Sequence, residues 1–247
     1  PPRSTLFPYT TLFRSALTSD PGSIIERLGI SYILFRHIQF LVDAYRGKVK
    51  AFAWIDYLNF ILFFPTFIAG PIDTYTNFKR WADRAHGRLK SALILPGVGC
   101  IFIGLLKKYA LVPLIYDYAV SYAPFAESMG DRSALLLSMV CYSAYIFLDF
   151  SGYSDIAIGS GYLLGIRTPE NFRSPYLALN LADFWRRWHM SFSQFLRELI
   201  FKPIVKGLSK RFPKWPRLSV SVLGYLLTFS ICGIWHGSTF NFELWGL

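Results

Sequence analysis

Trp235-His236-Gly237 stands inside Leu218 to Phe242, a run without a charged residue. An ionisable side chain at membrane depth has no water unless a cavity supplies it, so such a group marks a functional position by default. A neutral imidazole costs far less to bury than a carboxylate and can still take a proton near neutral pH, which suits a general base in an apolar site. Hydrogen bonding between helices is the other use of such a residue. A second histidine, His189, follows Phe184-Trp185-Arg186-Arg187-Trp188. Aromatics mixed with arginines mark an interfacial helix. The string runs on to Phe201 without a helix breaker, and Trp185, Trp188 and Phe192 recur on one helical face. By itself His189 reads as a hydrogen-bonded packing residue. Asp149-Phe150-Ser151-Gly152-Tyr153-Ser154-Asp155 sets carboxylates, hydroxyls and a phenol beside an apolar span, where capping and turn chemistry are the plain reading.

The elements that must hold these groups are apolar spans. A membrane helix needs about 17 to 25 residues, fewer where flanking Lys or Arg can snorkel. Tyr57 to Ile72, Ser91 to Leu106, Ser133 to Leu148 and Leu218 to Phe242 each lie uncharged between charged neighbours. Gly29 to Tyr45 carries Arg36, His37 and Asp43, so it is expected at the interface or packed inside a bundle. Tyr109 to Ala126 and Phe150 to Ile166 contain Asp117 and Asp155 and are dotted with Pro and Gly, which predicts broken or re-entrant helices. The loop Lys202 to Arg217 has basic but no acidic residues and is expected to be cytoplasmic. Lys79 to Lys90 should share that side and Glu127 to Arg132 should lie opposite. Two full crossings between Ser91 and Ala126 would break this pattern, so one of those segments is expected to be interfacial or re-entrant.

Composition agrees with a bilayer. Of 247 residues 53% are hydrophobic and only 17% charged, against about a quarter charged in a soluble domain. The formal charge of +11 is the excess expected of basic residues at the ends of spans, and it carries no call for nucleic acid. Cys100, Cys141 and Cys232 lie in apolar runs without paired spacing, so neither a disulfide framework nor a metal site is indicated. Transporters and scaffolds share this composition, so composition alone leaves transport, scaffolding and catalysis open. Pro1 to Ser15 matches the conceptual translation of a common sequencing adapter and lacks the features of a signal peptide. It is set aside as an artefact, residues 16–247 form a partial transmembrane domain, and the chain is expected to be truncated at both ends.

The chain resembles the membrane-bound O-acyltransferase family from about Gly29 to Leu247, in the bacterial branch that holds alginate O-acetyltransferases and teichoic-acid D-alanyl transfer proteins. The resemblance is carried by Leu41 to Gly47, Phe63 to Ile72, Asp149 to Asp155, Pro169-Glu170-Asn171-Phe172, Pro175-Tyr176-Leu177-Ala178, Phe184 to Ser191 and Trp235-His236-Gly237. It implies an all-α, polytopic, funnel-shaped membrane bundle in a bacterial inner membrane. It implies His236 as catalytic and His189 as a second functional position. It also implies substrate-binding roles for Trp235, Trp185, Arg186, Arg187, Asn171, Asp149 and Asp155. Where alginate-type members carry Gly-Gly-Asn-Arg, this sequence has Lys202-Pro203-Ile204-Val205-Lys206-Gly207, closer to the D-alanyl type. Pro175 to Ala178 and the paired arginines look more like the acetyl type, which is preferred.

The reaction so implied moves an acyl group from a thioester to a hydroxyl. It needs a base, a donor for the developing oxyanion and exclusion of water. No resident cofactor is expected. The donor is acetyl-CoA or an acylated carrier protein reaching the basic side. The acceptor is an extracytoplasmic polysaccharide or cell-envelope polymer served with a further extracytoplasmic acyltransferase. With Lys202 to Arg217 inside, His236 is expected at or beyond the middle of the bilayer and His189 near the cytoplasmic surface, the two marking a path.

Overall fold

The computed structural model describes residues 30–67, 70–85, 91–121 and 132–236, with Leu244. The readings of Pro1 to Ser15, of the turn after Ser121 and of the sequence beyond His236 lie outside the described residues. Among those described, all regular structure is helical. The helices are α1 (Ile30–Tyr45), α2 (Trp54–Ile61), α3 (Tyr75–Ala85), α4 (Ser91–Leu105), α5 (Val112–Tyr116), α6 (Arg132–Leu163), α7 (Leu181–Arg187), α8 (Met190–Leu196), α9 (Lys202–Arg211) and α10 (Arg217–His236). Wider π-helical turns at Leu106–Leu111 and Asp117–Ser121 flank α5, and another at Arg197–Phe201 joins α8 to α9.

Among the described residues, three runs are long and apolar enough to cross a membrane: Ala92–Ala119, Arg132–Leu163 and Arg217–His236, of 28, 32 and 20 residues. At 1.5 Å per residue they measure about 42, 48 and 30 Å, enough for an apolar core of about 30 Å. Leu95, Phe102, Leu136, Val140, Leu218 and Ile234 stand exposed along them. So much apolar surface on long helices is the signature of contact with lipid rather than water. The chain is thus an all-α membrane helical bundle.

The first run resolves the uneven count of crossings. Ser91 to Ser121 is one continuous helical path, α-helical and π-helical by turns, long enough for one passage rather than two. Pro96 and Pro113 are absorbed within it. The break expected over Phe150 to Ile166 is absent too, since α6 continues unbroken to Leu163. Its glycines serve close packing instead. A Cβ on Gly104 would lie 2.5 Å from the carbonyl oxygen of Gly152, and one on Gly159 would lie 2.5 Å from that of Gly97. Small residues at matched heights let two membrane helices touch backbone to backbone. The far end of α6 returns to α3, where Asn77 donates to the Arg167 carbonyl at 3.2 Å.

Tyr57 to Ile72, by contrast, does not form a through-span. Helix α2 stops at Ile61, a 3₁₀ turn covers Phe64–Thr66, and Pro71 to Asp73 has no regular structure. A buried guanidinium holds this turn. Arg36 of α1 is 1% exposed and donates to the carbonyls of Phe60 and Ile61, both at 3.2 Å, and to the carbonyl and hydroxyl of Thr66. Carbonyls at a helix end and turn need donors from outside the helix, and Arg36 supplies them. Of the two placements expected for the charged groups of α1, packing inside the bundle is found for Arg36 and Asp43, both buried, while His37 is exposed.

Candidate functional site

The site is built where an expected continuous helix breaks. Phe184 to Phe201 carries no Gly or Pro, yet α7 ends at Arg187 and α8 begins at Met190. His189 between them has φ 42 and ψ 55, a left-handed conformation uncommon for a residue with a side chain. The cause is the segment containing Asn171, which binds the junction through its backbone. Met190 donates to the Asn171 carbonyl at 2.8 Å, and Arg173 donates to the Arg187 carbonyl at 2.9 Å. These bonds replace helical ones lost at the break and turn the His189 ring inward.

That ring is 6% exposed and boxed by aromatics, with Phe150 edge-on at 4.7 Å and Phe192 stacked at 5.0 Å. Its Nδ1 lies 3.0 Å from Oδ1 of Asn171, which is 0% exposed, and its Nε2 lies 3.5 Å from the Tyr32 hydroxyl. The same Asn171 oxygen accepts from the Ser191 hydroxyl at 2.7 Å, while Asn171 Nδ2 donates to Ser154 Oγ at 3.2 Å. Burial, with a further contribution from His236, pushes the His189 imidazole down to about 3. It is therefore neutral through the physiological range.

His236, the last residue of α10, and His189 line one cavity of about 1040 Å³, with Phe150, Trp185, Phe192 and Phe229 among its walls. An unbroken line of rings joins them: Phe192 lies 4.8 Å from Trp235, which lies 4.5 Å from His236. The histidines therefore share a chamber. The break at His189 is the reason, because it buries a residue that a continuous interfacial helix would have left at the surface.

The other expected site residues divide. Trp185 and Arg186 line the chamber. Asn171 and Trp235 stand behind it, against His189 and Phe192. Arg187 turns to Asp183, its Nε at 3.0 Å, and Arg186 also reaches that carboxylate at 3.3 Å. Asp149 and Asp155 lie in the middle of α6 rather than at a cap, paired with Lys108 and Lys107 of the π-helical turn. Charged groups along a membrane run meet partners, and here the pairs lock α6 to its neighbour. Phe150, between the two carboxylates in sequence, faces His189 instead.

A second, polar cavity of about 540 Å³ lies across α8, sharing Met190 and Gln194 with the first and lined by Lys48, Asp73, Arg167 and Arg173. Burial raises the Asp73 carboxyl to about 6 against hydrogen bonds from Asn77 and Thr74. Tyr32, Asp73 and Ser191 are the site and support residues that the sequence did not single out. Ser191 lies inside a motif and Tyr32 carries no local signal, while Arg36 stands out in the sequence only as a charge within an apolar span.

The family model for the membrane-bound O-acyltransferase family matches residues 28–247. The chain is 39% identical over 231 residues to the teichoic acid D-alanyltransferase of Bacillus subtilis, covering 92% of this chain and 58% of that protein. It is 33% identical to a probable alginate O-acetylase AlgI of Pseudomonas putida, covering 90% of this chain and 44% of that one. It is 34% identical to the peptidoglycan O-acetyltransferase of Helicobacter pylori, covering 91% and 46%. The chain spans about half the length of these relatives. With a helical membrane bundle, a shared histidine chamber and a match across nearly all of its length, this chain belongs to the membrane-bound O-acyltransferase family.

Proposed function

We propose that the intact protein is a multi-pass acyltransferase of a bacterial inner membrane, moving an acetyl group from a cytoplasmic thioester to a hydroxyl of an extracytoplasmic polysaccharide. The observation that carries this reading is the pair of histidines on one aromatic-walled cavity. An ion pathway would be served by charged groups along the route, whereas the carboxylates of α6 are tied up in ion pairs away from this chamber.

In the proposed reaction His236 takes the proton of the acceptor hydroxyl. The alkoxide oxygen attacks the thioester carbonyl carbon, the carbon–sulfur bond breaks, and the departing sulfur takes the proton back from His236. An ester and a free thiol result. Aromatic walls keep out water that would hydrolyse the thioester. Arg186 and the basic stretch Lys202 to Arg217 suit the phosphates of acetyl-CoA or the acidic surface of a carrier protein. Trp185, Trp235, Asn171, Asp149 and Asp155 then contribute to binding or to holding the chamber's walls. The acceptor polymer would be met with an extracytoplasmic partner.

A second reading, D-alanyl transfer to teichoic acid from an acylated carrier protein, is favoured by the 39% identity to the Bacillus subtilis protein and by the Lys202 to Gly207 segment. Full-length protein in proteoliposomes, given labelled acetyl-CoA or D-alanyl carrier protein with hydroxyl acceptors, separates the two by the mass of the ester formed. Transfer from neither donor would overturn the enzyme reading in favour of a transporter or scaffold.

A further inference from the structure

We infer that Asn171 is a positioning residue that anchors the Nδ1 proton of His189, so that His189 works as a neutral hydrogen-bond acceptor at Nε2. This rests on the chamber being the site of acyl transfer. It gives Asn171 a task different from substrate binding, and it limits what His189 can do.

The orientation of the Asn171 amide is set by groups that cannot be turned round. An amide oxygen and nitrogen look alike in shape, so only the surrounding donors and acceptors distinguish them. The main-chain N–H of Ser191 points at Oδ1 from 3.4 Å. The main-chain N–H of Ile72 donates to Ser191 Oγ at 2.9 Å, which leaves the Ser191 hydroxyl hydrogen to go to Oδ1, 2.7 Å away. On the other side, Asn171 Nδ2 has the Ser154 oxygen at 3.2 Å to receive its hydrogen. Reversing the amide would set its NH₂ against the Ser191 N–H, donor against donor. The oxygen therefore faces His189, and the nitrogen 3.0 Å from it must carry the hydrogen.

A neutral imidazole has one N–H, so with Nδ1 protonated Nε2 is a bare lone pair. The Tyr32 hydroxyl lies on that side at 3.5 Å and can supply a hydrogen. His189 thus offers nothing to a carbonyl oxygen or an oxyanion. A substrate group that meets its Nε2 must itself bring a hydrogen, as a hydroxyl, a thiol or an amide N–H does. The left-handed backbone of His189 and the bond from Met190 to the Asn171 carbonyl hold the two residues at this spacing from the main chain as well.

The test uses the full-length protein labelled with ¹⁵N-histidine, the His189 signals being assigned by their loss in His189→Gln. The parent should show protonated Nδ1 and unprotonated Nε2. Asn171→Asp, which keeps an oxygen in place, should leave Nδ1 protonated, whereas Asn171→Leu should lose that signature. In acyl transfer Asn171→Leu should lower kcat with little change in donor KM, by about 10² to 10⁴-fold if its weight is like that of a tautomer-setting residue elsewhere. Asn171→Asp should restore much of the loss. An unprotonated Nδ1 in the parent, or an unchanged Nδ1 signature in folded Asn171→Leu, would overturn the inference. The resonance readout needs no substrate, so an intact tautomer in a parent that transfers no acyl group would count against the proposed reaction and leave the Asn171–His189 pairing standing.

Discussion

Gly104 and Gly152 meet so closely that a methyl group on the first would lie 2.5 Å from the carbonyl oxygen of the second and 2.9 Å from the Ile156 nitrogen. The first long run and α6 therefore pack main chain to main chain, and the Lys107–Asp155 and Lys108–Asp149 pairs close the same seam. This seam carries Phe150 and Ser154 on the far face of α6, where they reach His189 and Asn171.

Gly104→Ala and Gly159→Ala should each lower stability, by about 1–3 kcal/mol as overpacking does. Gly99→Ala is the control, for nothing lies within 4 Å of a Cβ there. Alanine favours a helix over glycine by about 1 kcal/mol, so that variant should melt at the parent temperature or above. Thermal melting in detergent reads both signs, and equal effects at the three positions would refute the packing role.

His236→Ala should abolish acyl transfer while leaving expression and membrane insertion near normal, because it removes a proton acceptor rather than much packing. Substantial transfer by that variant at normal expression would sink its assignment as the base.

Arg36→Met should destabilise the protein by at least about 2 kcal/mol, since it strands the carbonyls of Phe60, Ile61 and Thr66 that the guanidinium serves. Arg36→Lys should not rescue it, because one ammonium cannot reproduce the planar fork. Denaturation midpoints of the three proteins check this, and parent-like stability of the lysine variant would show that charge alone suffices.

Acid should destabilise the fold through His189 and stabilise it through Asp73. The unfolded chain takes up a proton at the ordinary histidine value of 6.5, but His189 resists until about 3, so its contribution is lost as pH falls below 6.5. Asp73 behaves oppositely. Held at about 6 rather than 3.8, it keeps a proton the unfolded chain has released, and its contribution is lost as pH rises through that window. Melting temperature followed from pH 6.5 down to 3.8 should therefore fall more gently in His189→Gln and more steeply in Asp73→Asn than in the parent. Parallel curves would show that neither group titrates abnormally.

The stretch Lys202 to Arg217 should face the cytoplasm. Much of it is helix α9 rather than loop, and Ser209 on that helix is exposed. A Cys at Ser209 should resist an impermeant reagent added to intact cells and react once they are opened. Labelling from outside would reverse the topology and the proposed direction of transfer.

The sequence by itself determined the solvent, three of its four uncharged spans as parts of long apolar helices, the family motifs and the histidine within the uncharged run, because hydrophobicity and motif spacing are local properties of the chain. Tertiary structure decided what those pieces do together. Gly152 and Gly159 read as helix breakers along the sequence, but a facing backbone at Gly104 and Gly97 makes them seats for close packing. Phe184 to Phe201 reads as one helix, but Asn171, on a separate segment, takes over the hydrogen bonds of the Met190 junction and opens it. Arg36 reads as a misfit in an apolar stretch, and only the turn after α2 supplies the carbonyls that make its burial tolerable. Each reversal has one physical cause: polar backbone and side-chain groups out of water must find partners, and those partners lie far away in the chain, where no local pattern records them.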